Sequence, residues 1–257
     1  MATVVYVMPV DAPAERQQRV RDYLESLAHA GTSVRVVAFP GGPSDLEYHC
    51  REHRAVTWML EQLPEVVSGA HAVCVGCFYD PGIRELRETL DVPVIGIAEA
   101  SFQVASAVAH NFSVLVGRRK WIPKMSDNAL LYGFAHRISS WRVVEVSVAE
   151  LHAHPDSAYS AVLEAARRAV EDDRAEALVL GCAAMEGMAA RLQDALGVPV
   201  IDPVVAGFKV AEMLGHLYEK VRLGTSKVGD YTCPQQHTIA QRAGARCGKA
   251  GGIYAST

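Results

Sequence analysis

Nothing in this chain approaches the roughly 18 consecutive apolar residues of a membrane-crossing helix, so no span is expected. The opening MATVVYVMPV is apolar but has no basic leader and no small-residue cleavage site. It reads as a strand and not as a signal peptide. Neither sign of charge dominates. Against 29 Asp and Glu stand 25 Lys and Arg, spread throughout, and without a basic face no nucleic-acid partner is expected. Six cysteines in 257 residues are too few for a disulfide scaffold, and they fit the reduced thiols of a cytoplasmic protein. No Gly-x-Gly-x-x-Gly is present, and no Lys follows Gly41-Gly42-Pro43 at Walker spacing, so that stretch reads as a turn. Cys50-x-x-His53 offers too few ligands for a metal. His152-Ala153-His154 reads as a loop, and Cys233 with His237 lies in an irregular tail. No metal site and no cofactor are therefore expected.

What the chain does have is apolar periodicity, with half its residues hydrophobic. Strands are predicted at Thr3–Met8, Ser33–Phe39, Ala72–Gly76, Val92–Ile97, Ser113–Val116, Arg142–Val148, Ala177–Leu180 and Val198–Ile201. Helices are predicted at Ala14–Ala30, Asp45–Val67, Pro81–Leu90, Ala98–His110, Pro123–Ala135, Ser157–Asp172, Glu186–Leu196 and Val204–Arg222. Such alternation means parallel sheets flanked by helices. The expected fold is α/β, with two similar lobes of about four parallel strands each, related by pseudo-twofold symmetry. One lobe is assigned residues 1–98 plus 204–257 and the other 99–203, with the site in the cleft between them.

The symmetry is written in a repeat. AVCVGCFYDPG…VPVIGIAEASFQVA begins at Ala72, and ALVLGCAAMEG…VPVIDPVVAGFKVA begins at Ala177. Cys77 to Pro93 spans 16 residues and Cys182 to Pro199 spans 17; each Pro is followed by Phe nine residues later, at Phe102 and Phe208. The two cysteines are 182 − 77 = 105 residues apart. A lone cysteine after an apolar run is ordinarily packing. Repetition at equivalent positions assigns Cys77 and Cys182 to chemistry, while Cys74 belongs to the core and Cys50, Cys233 and Cys247 fall outside the repeat. Ligands of doubly wound sheets bind beyond the carboxyl ends of the strands, where both cysteines fall. Each precedes a helix, whose N-terminus should make its thiol more acidic than usual. Two opposed bases suit a stereoinversion at carbon, one taking a proton and the other delivering one to the opposite face. The N–H groups of Phe78, Tyr79, Ala183 and Ala184 are the expected donors to the charge that develops.

These motifs resemble the aspartate/glutamate/hydantoin racemase superfamily, and within it the hydantoin and allantoin racemase branch. GRRKWIPKMSDNALLYGFAHR and the TSK around Ser226 add to the resemblance, which covers roughly residues 1–230. It implies a cofactor-independent two-thiol racemase of a small cyclic ureide, with Cys77 and Cys182 at the two acid/base positions. Several loops depart from the branch. Met8-Pro9-Val10-Asp11 stands where an Asn-Pro-Asn-Thr loop is usual, and Gly42-Pro43-Ser44-Asp45-Leu46-Glu47 replaces Gly-Pro-x-Ser-Ile-Glu. Tyr79, Ala184 and the Gly117-Arg118 turn also differ. The substrate-binding residues expected from this mapping are Pro9, Val10, Ser44, Phe78, Tyr79, Gly117, Arg118, Ala183 and Ala184.

Two other functions remain open at this point. A thiol-dependent cis–trans isomerase or lyase of the same superfamily could act on another small carbonyl substrate, although the decarboxylases keep only the second cysteine. A ligand-binding protein of the same fold would need neither thiol to react. The expected partners are a small-molecule substrate and further copies of the chain, with neither nucleic acid nor membrane.

Overall fold

The strands Ala-Val-Cys-Val, Phe-Ser-Val-Leu-Val and Ala-Leu-Val-Leu are buried at every residue, as parallel strands covered on both faces must be. In the computed structural model, which describes residues 1–233, they are three of the four inner strands of two sheets. The first lobe runs β1 (Ala2–Met8), α1 (Ala14–Leu27), β2 (Thr32–Ala38), α2 (His49–Val66), β3 (Ala72–Val75), α3 (Ile83–Thr89), β4 (Val94–Gly96) and α4 (Ile97–Val108). The second runs β5 (Phe112–Val116), α5 (Ile122–Leu131), β6 (Ile138–Val143), α6 (Val148–Ala153), α7 (Pro155–Glu171), β7 (Ala177–Leu180), α8 (Ala189–Leu196), β8 (Val200–Ile201) and α9 (Pro203–Val221). Both sheets are wholly parallel, with the same strand order, β2-β1-β3-β4 and β6-β5-β7-β8. Among the described residues no helix is long and apolar enough to cross a membrane.

The lobes exchange their last helices. α4 leaves the first sheet and packs on β7 and β8, while α9 packs on β1, β3 and β4. The two helices cross where Gly207 meets Ile97. A Cβ on Gly207 would lie 2.5 Å from Ile97 Cγ2 and 3.0 Å from Cys74 Sγ, so the approach needs glycine. Phe102 on α4 and Phe208 on α9, the repeat-equivalent pair, are both fully buried. Each buried ring contributes roughly 1.5–3 kcal/mol. α9 begins sharply because Asp202 accepts from the N–H groups of Val204 (2.9 Å) and Val205 (3.3 Å), with Pro203 at its first turn.

Four local expectations are corrected. β6 starts at Ile138, because Ser140, although polar, bonds Ser113 across the ladder at 2.7 Å. The helix predicted from Asp45 starts at His49; Asp45 instead accepts from the Glu47 N–H and from Arg51. The helix predicted from Glu186 starts at Ala189, after a single 3₁₀ turn over Ala183–Met185. His152 lies in α6 and not in a loop, because Ser147 and Glu150 form a reciprocal capping box that starts a short helix. The first residues of the tail are docked: Lys227 Nζ donates to the carbonyls of Arg87, Glu88 and Leu90 at the end of α3. His237 and Cys247 lie outside the described residues.

Candidate active site

The two cysteines are built into matching corners. Gly76 N–H donates to Val7 O and Gly181 N–H to Leu115 O, both at 2.8 Å, which carries each inner strand one residue further. A Cβ at Gly76 would strike the Tyr6 ring at 2.5 Å, and one at Gly181 would strike Leu115 O at 2.6 Å, so each cysteine must follow a glycine. The chain then turns. Asp80 N–H donates to Cys77 O (2.9 Å) and Met185 N–H to Cys182 O (3.0 Å). The turn aims the N–H two residues on at the sulfur, Tyr79 onto Cys77 and Ala184 onto Cys182.

Both thiols are partly exposed and line one cavity of about 50 Å³, together with Leu46, Glu47, Phe78, Tyr79, Trp121, Met125, Val148 and Gly181.

The expected acidity of the thiols is overturned. Burial pushes Cys182 up to about 11 despite the Ala184 N–H and the charge of Arg16. Burial also raises Cys77, against the Tyr79 N–H, and Cys182, Asp80 and Glu52 add to the rise. The helix starts are too distant to compensate. α3 begins 83 − 77 = 6 residues after Cys77 and α8 begins 189 − 182 = 7 after Cys182. The helix dipole fades within a turn. Arg16 relieves only Cys182, so Cys182 is the easier of the two to ionise.

Of the nine residues expected around a substrate, Phe78 and Tyr79 line the cavity. The backbone of Ala184 serves the Cys182 sulfur, and Ala183 begins the 3₁₀ turn beside it. Gly117 lies beneath Trp121, where a Cβ would fall 2.4 Å from the indole ring. Arg118 Nη1 stands 3.5 Å from Glu47 Oε2 and does not itself border the cavity. Pro9 is buried, Val10 is tied through its carbonyl to Phe39 N–H, and exposed Ser44 bonds Asp45; none of the three borders the cavity. Glu47, Trp121 and Met125 do border it and were not foreseen. Two signals were available in the sequence: a carboxylate in the loop before α2, and a Trp straight after three basic residues.

Several bonds fasten the lobes around this cavity. Glu47 Oε1 accepts from Val148 N–H at 3.1 Å, and Lys124 pairs with buried Glu52 at 3.0 Å. From α5, Asn128 Nδ2 donates to Tyr79 O (2.8 Å) and Tyr132 OH to Asp80 Oδ2 (3.0 Å). The Cys77 loop of one lobe is thus held by the other lobe.

Asp80 breaks the symmetry. It caps α4 by accepting from Ala98 and Glu99 N–H, both at 2.9 Å, and burial raises its carboxyl to about 7. In the other lobe the capping acid is Asp202, three residues past Pro199; three past Pro93 stands Gly96. The carboxylate therefore comes from the cysteine loop in one lobe and from the strand end in the other. A Cβ on Gly96 would lie 2.1 Å from Asp80 Cγ. Gly96→Ala is expected to displace Asp80 and destabilise the fold by about 1–3 kcal/mol, measured by urea denaturation. A midpoint equal to wild type would refute the cap.

Among the described residues no group of three or more His, Cys, Asp or Glu is placed to hold a metal ion. Two parallel-sheet lobes, each bringing one thiol to a single small cavity, define a two-lobed α/β protein whose candidate site lies between the lobes. A sequence profile of the Asp/Glu/Hydantoin racemase family matches residues 6–211, and the chain belongs to that family. It is 35% identical to a hydantoin racemase of Pseudomonas sp. (strain NS671) over 82% of this chain and 84% of that one. It is 34% identical to a hydantoin racemase of Paenarthrobacter aurescens over 90% and 98%. Allantoin racemase from Klebsiella pneumoniae superposes with a TM-score of 0.84 at 30% identity, covering 92% of this chain and 95% of that one. Glutamate racemase from Francisella tularensis, at 15% identity and a TM-score of 0.59, over 88% and 84%, shares the fold.

Proposed function

We propose that this racemase inverts the stereocentre of a small cyclic ureide, a 5-substituted hydantoin or allantoin, with Cys77 and Cys182 as its acid and base and without a cofactor. The observation that carries the reading is the convergence of the two repeat-equivalent thiols on one cavity. The names of its relatives support the substrate class. The proton at C5 of such a ring is flanked by a carbonyl and a ring nitrogen. With Cys182 as thiolate, that proton passes to its sulfur and the C–H electron pair spreads onto the adjacent carbonyl as an enolate. The Cys77 thiol then returns a proton to the opposite face of C5, and the S–H electrons remain on Cys77. The products are the inverted ring, a Cys182 thiol and a Cys77 thiolate, which is the starting state for the reverse direction. The N–H groups of Tyr79 and Ala184 hold whichever sulfur is charged.

The test is proton NMR of a single enantiomer in D₂O, against an enzyme-free control because hydantoins exchange slowly by themselves. Deuterium is expected at the stereocentre of every product molecule, at a rate that EDTA leaves unchanged. Turnover without deuterium entering would point to thiol addition and would overturn the reading.

A further inference from the structure

Four buried side-chain polar atoms of the described residues have no hydrogen-bond partner: Arg21 Nε, Arg35 Nε, Glu47 Oε2 and Trp121 Nε1. Arg35 spends its other two nitrogens on Val66 O and Ser68 O, at 3.0 and 3.1 Å. The remaining acid and indole both belong to the wall of the two-cysteine cavity. Native proteins pair the large majority of such atoms, so an unpaired acceptor and an unpaired donor in one small cavity point to a missing partner. Trp121 is 2% exposed and Glu47 8%, so bulk water does not supply it. Arg118 faces Glu47 Oε2 at 3.5 Å without bonding it and balances its charge, while Oε1 is taken by Val148 N–H.

We propose that Glu47 and Trp121 together read one amide edge of the substrate ring. The inference rests on the ureide reading above. A cyclic ureide carries a carbonyl and an N–H side by side, which one donor and one acceptor on the wall of the same small cavity, the Trp121 indole N–H and a Glu47 carboxylate oxygen, complement. Trp121 Nε1–H donates to the ring carbonyl next to the reacting carbon. Glu47 Oε2 accepts from the ring N–H on the far side of that carbonyl, N3–H in a hydantoin. The Trp121 bond strengthens as the carbonyl becomes an enolate oxygen, so it favours the transition state over the bound substrate. The Glu47 bond selects the ring and sets its orientation between the two sulfurs.

The experiment compares a 5-substituted hydantoin with its N3-methyl derivative, which lacks the N–H assigned to Glu47. Wild type, Glu47→Gln and Trp121→Phe are assayed, each checked for folding by circular dichroism. Wild type should prefer the parent ring by about 10²-fold or more in kcat/KM. Glu47→Gln keeps side-chain size and the Val148 bond, and should bring the parent to within a few-fold of the methylated ring; the ratio between the rings is the readout, because the charge of Glu47 also raises Cys182 and its removal shifts the rate on both rings together. Trp121→Phe should lower kcat about 10²-fold on both rings with little change in KM. An undiminished preference in Glu47→Gln, or an undiminished kcat in Trp121→Phe, would overturn the assignment and leave the racemase reading standing. If wild type racemises no hydantoin, the racemase reading on this substrate fails. The assignment is then judged by titration calorimetry of both rings. Tighter binding of the parent, lost in Glu47→Gln, supports it; equal binding, or none, overturns it.

Discussion

Replacing Cys77 or Cys182 by serine should each cost about 10³-fold or more in racemisation, measured by polarimetry on a single enantiomer. A positioned acid or base is worth 10²–10⁴-fold, and a serine, whose hydroxyl ionises far less readily than a thiol, is a far weaker proton acceptor than a thiolate. The corners that carry the two sulfurs are alike in their glycine, their turn and their single backbone donor, and it is their position that makes neither thiol a substitute for the other. They face the cavity from different lobes. Each variant should therefore keep some proton exchange on the enantiomer served by its surviving thiol, and the two variants should select opposite enantiomers. A variant that racemises at the wild-type rate would end the two-thiol mechanism. Retained folding of both variants, by thermal melt, separates lost chemistry from lost structure.

Activity should climb with pH, close to tenfold in kcat/KM per unit between about pH 7 and 9. The sign follows from the thiols. Burial raises both, Cys182 to about 11, so the working thiolate is a minor species at neutral pH and grows in proportion to hydroxide. Loss of the second proton is opposed by the charge of the first thiolate, so the singly ionised pair persists over a wide range. The forms with the proton on Cys77 or on Cys182 are tautomers of that one state, and the rise should be the same in both directions. A profile flat from pH 7 to 9, with substrate ionisation and stability controlled, would mean that a thiolate already stands charged at neutrality.

The alternation of strands and helices was legible because parallel strands buried on both faces leave unbroken apolar runs such as Ala177–Leu180. The paired cysteines were legible because duplication repeats local chemistry, and the Gly-Cys corner is local. Local periodicity did not reveal α6, which depends on the Ser147–Glu150 box, or the first part of β6, where Ser140 is satisfied across the sheet by Ser113. The acidity of the thiols was misjudged for a related reason. Helix proximity can be read from spacing, whereas burial is a property of the whole cleft. Glu47 and Trp121 escaped notice because their surroundings come from the opposite lobe and from the loops at its edge. Glu47 meets Val148 about a hundred residues away, at the start of a helix that was itself not foreseen.

The exchange of α4 and α9 has a consequence for how the molecule melts. Neither half closes its own core, since each borrows the other's final helix across the Gly207–Ile97 crossing. Heat or urea therefore meets one cooperative unit and not two independent beads on a string. The two thiols, one from each lobe, therefore lose their shared cavity in the same transition that melts the core.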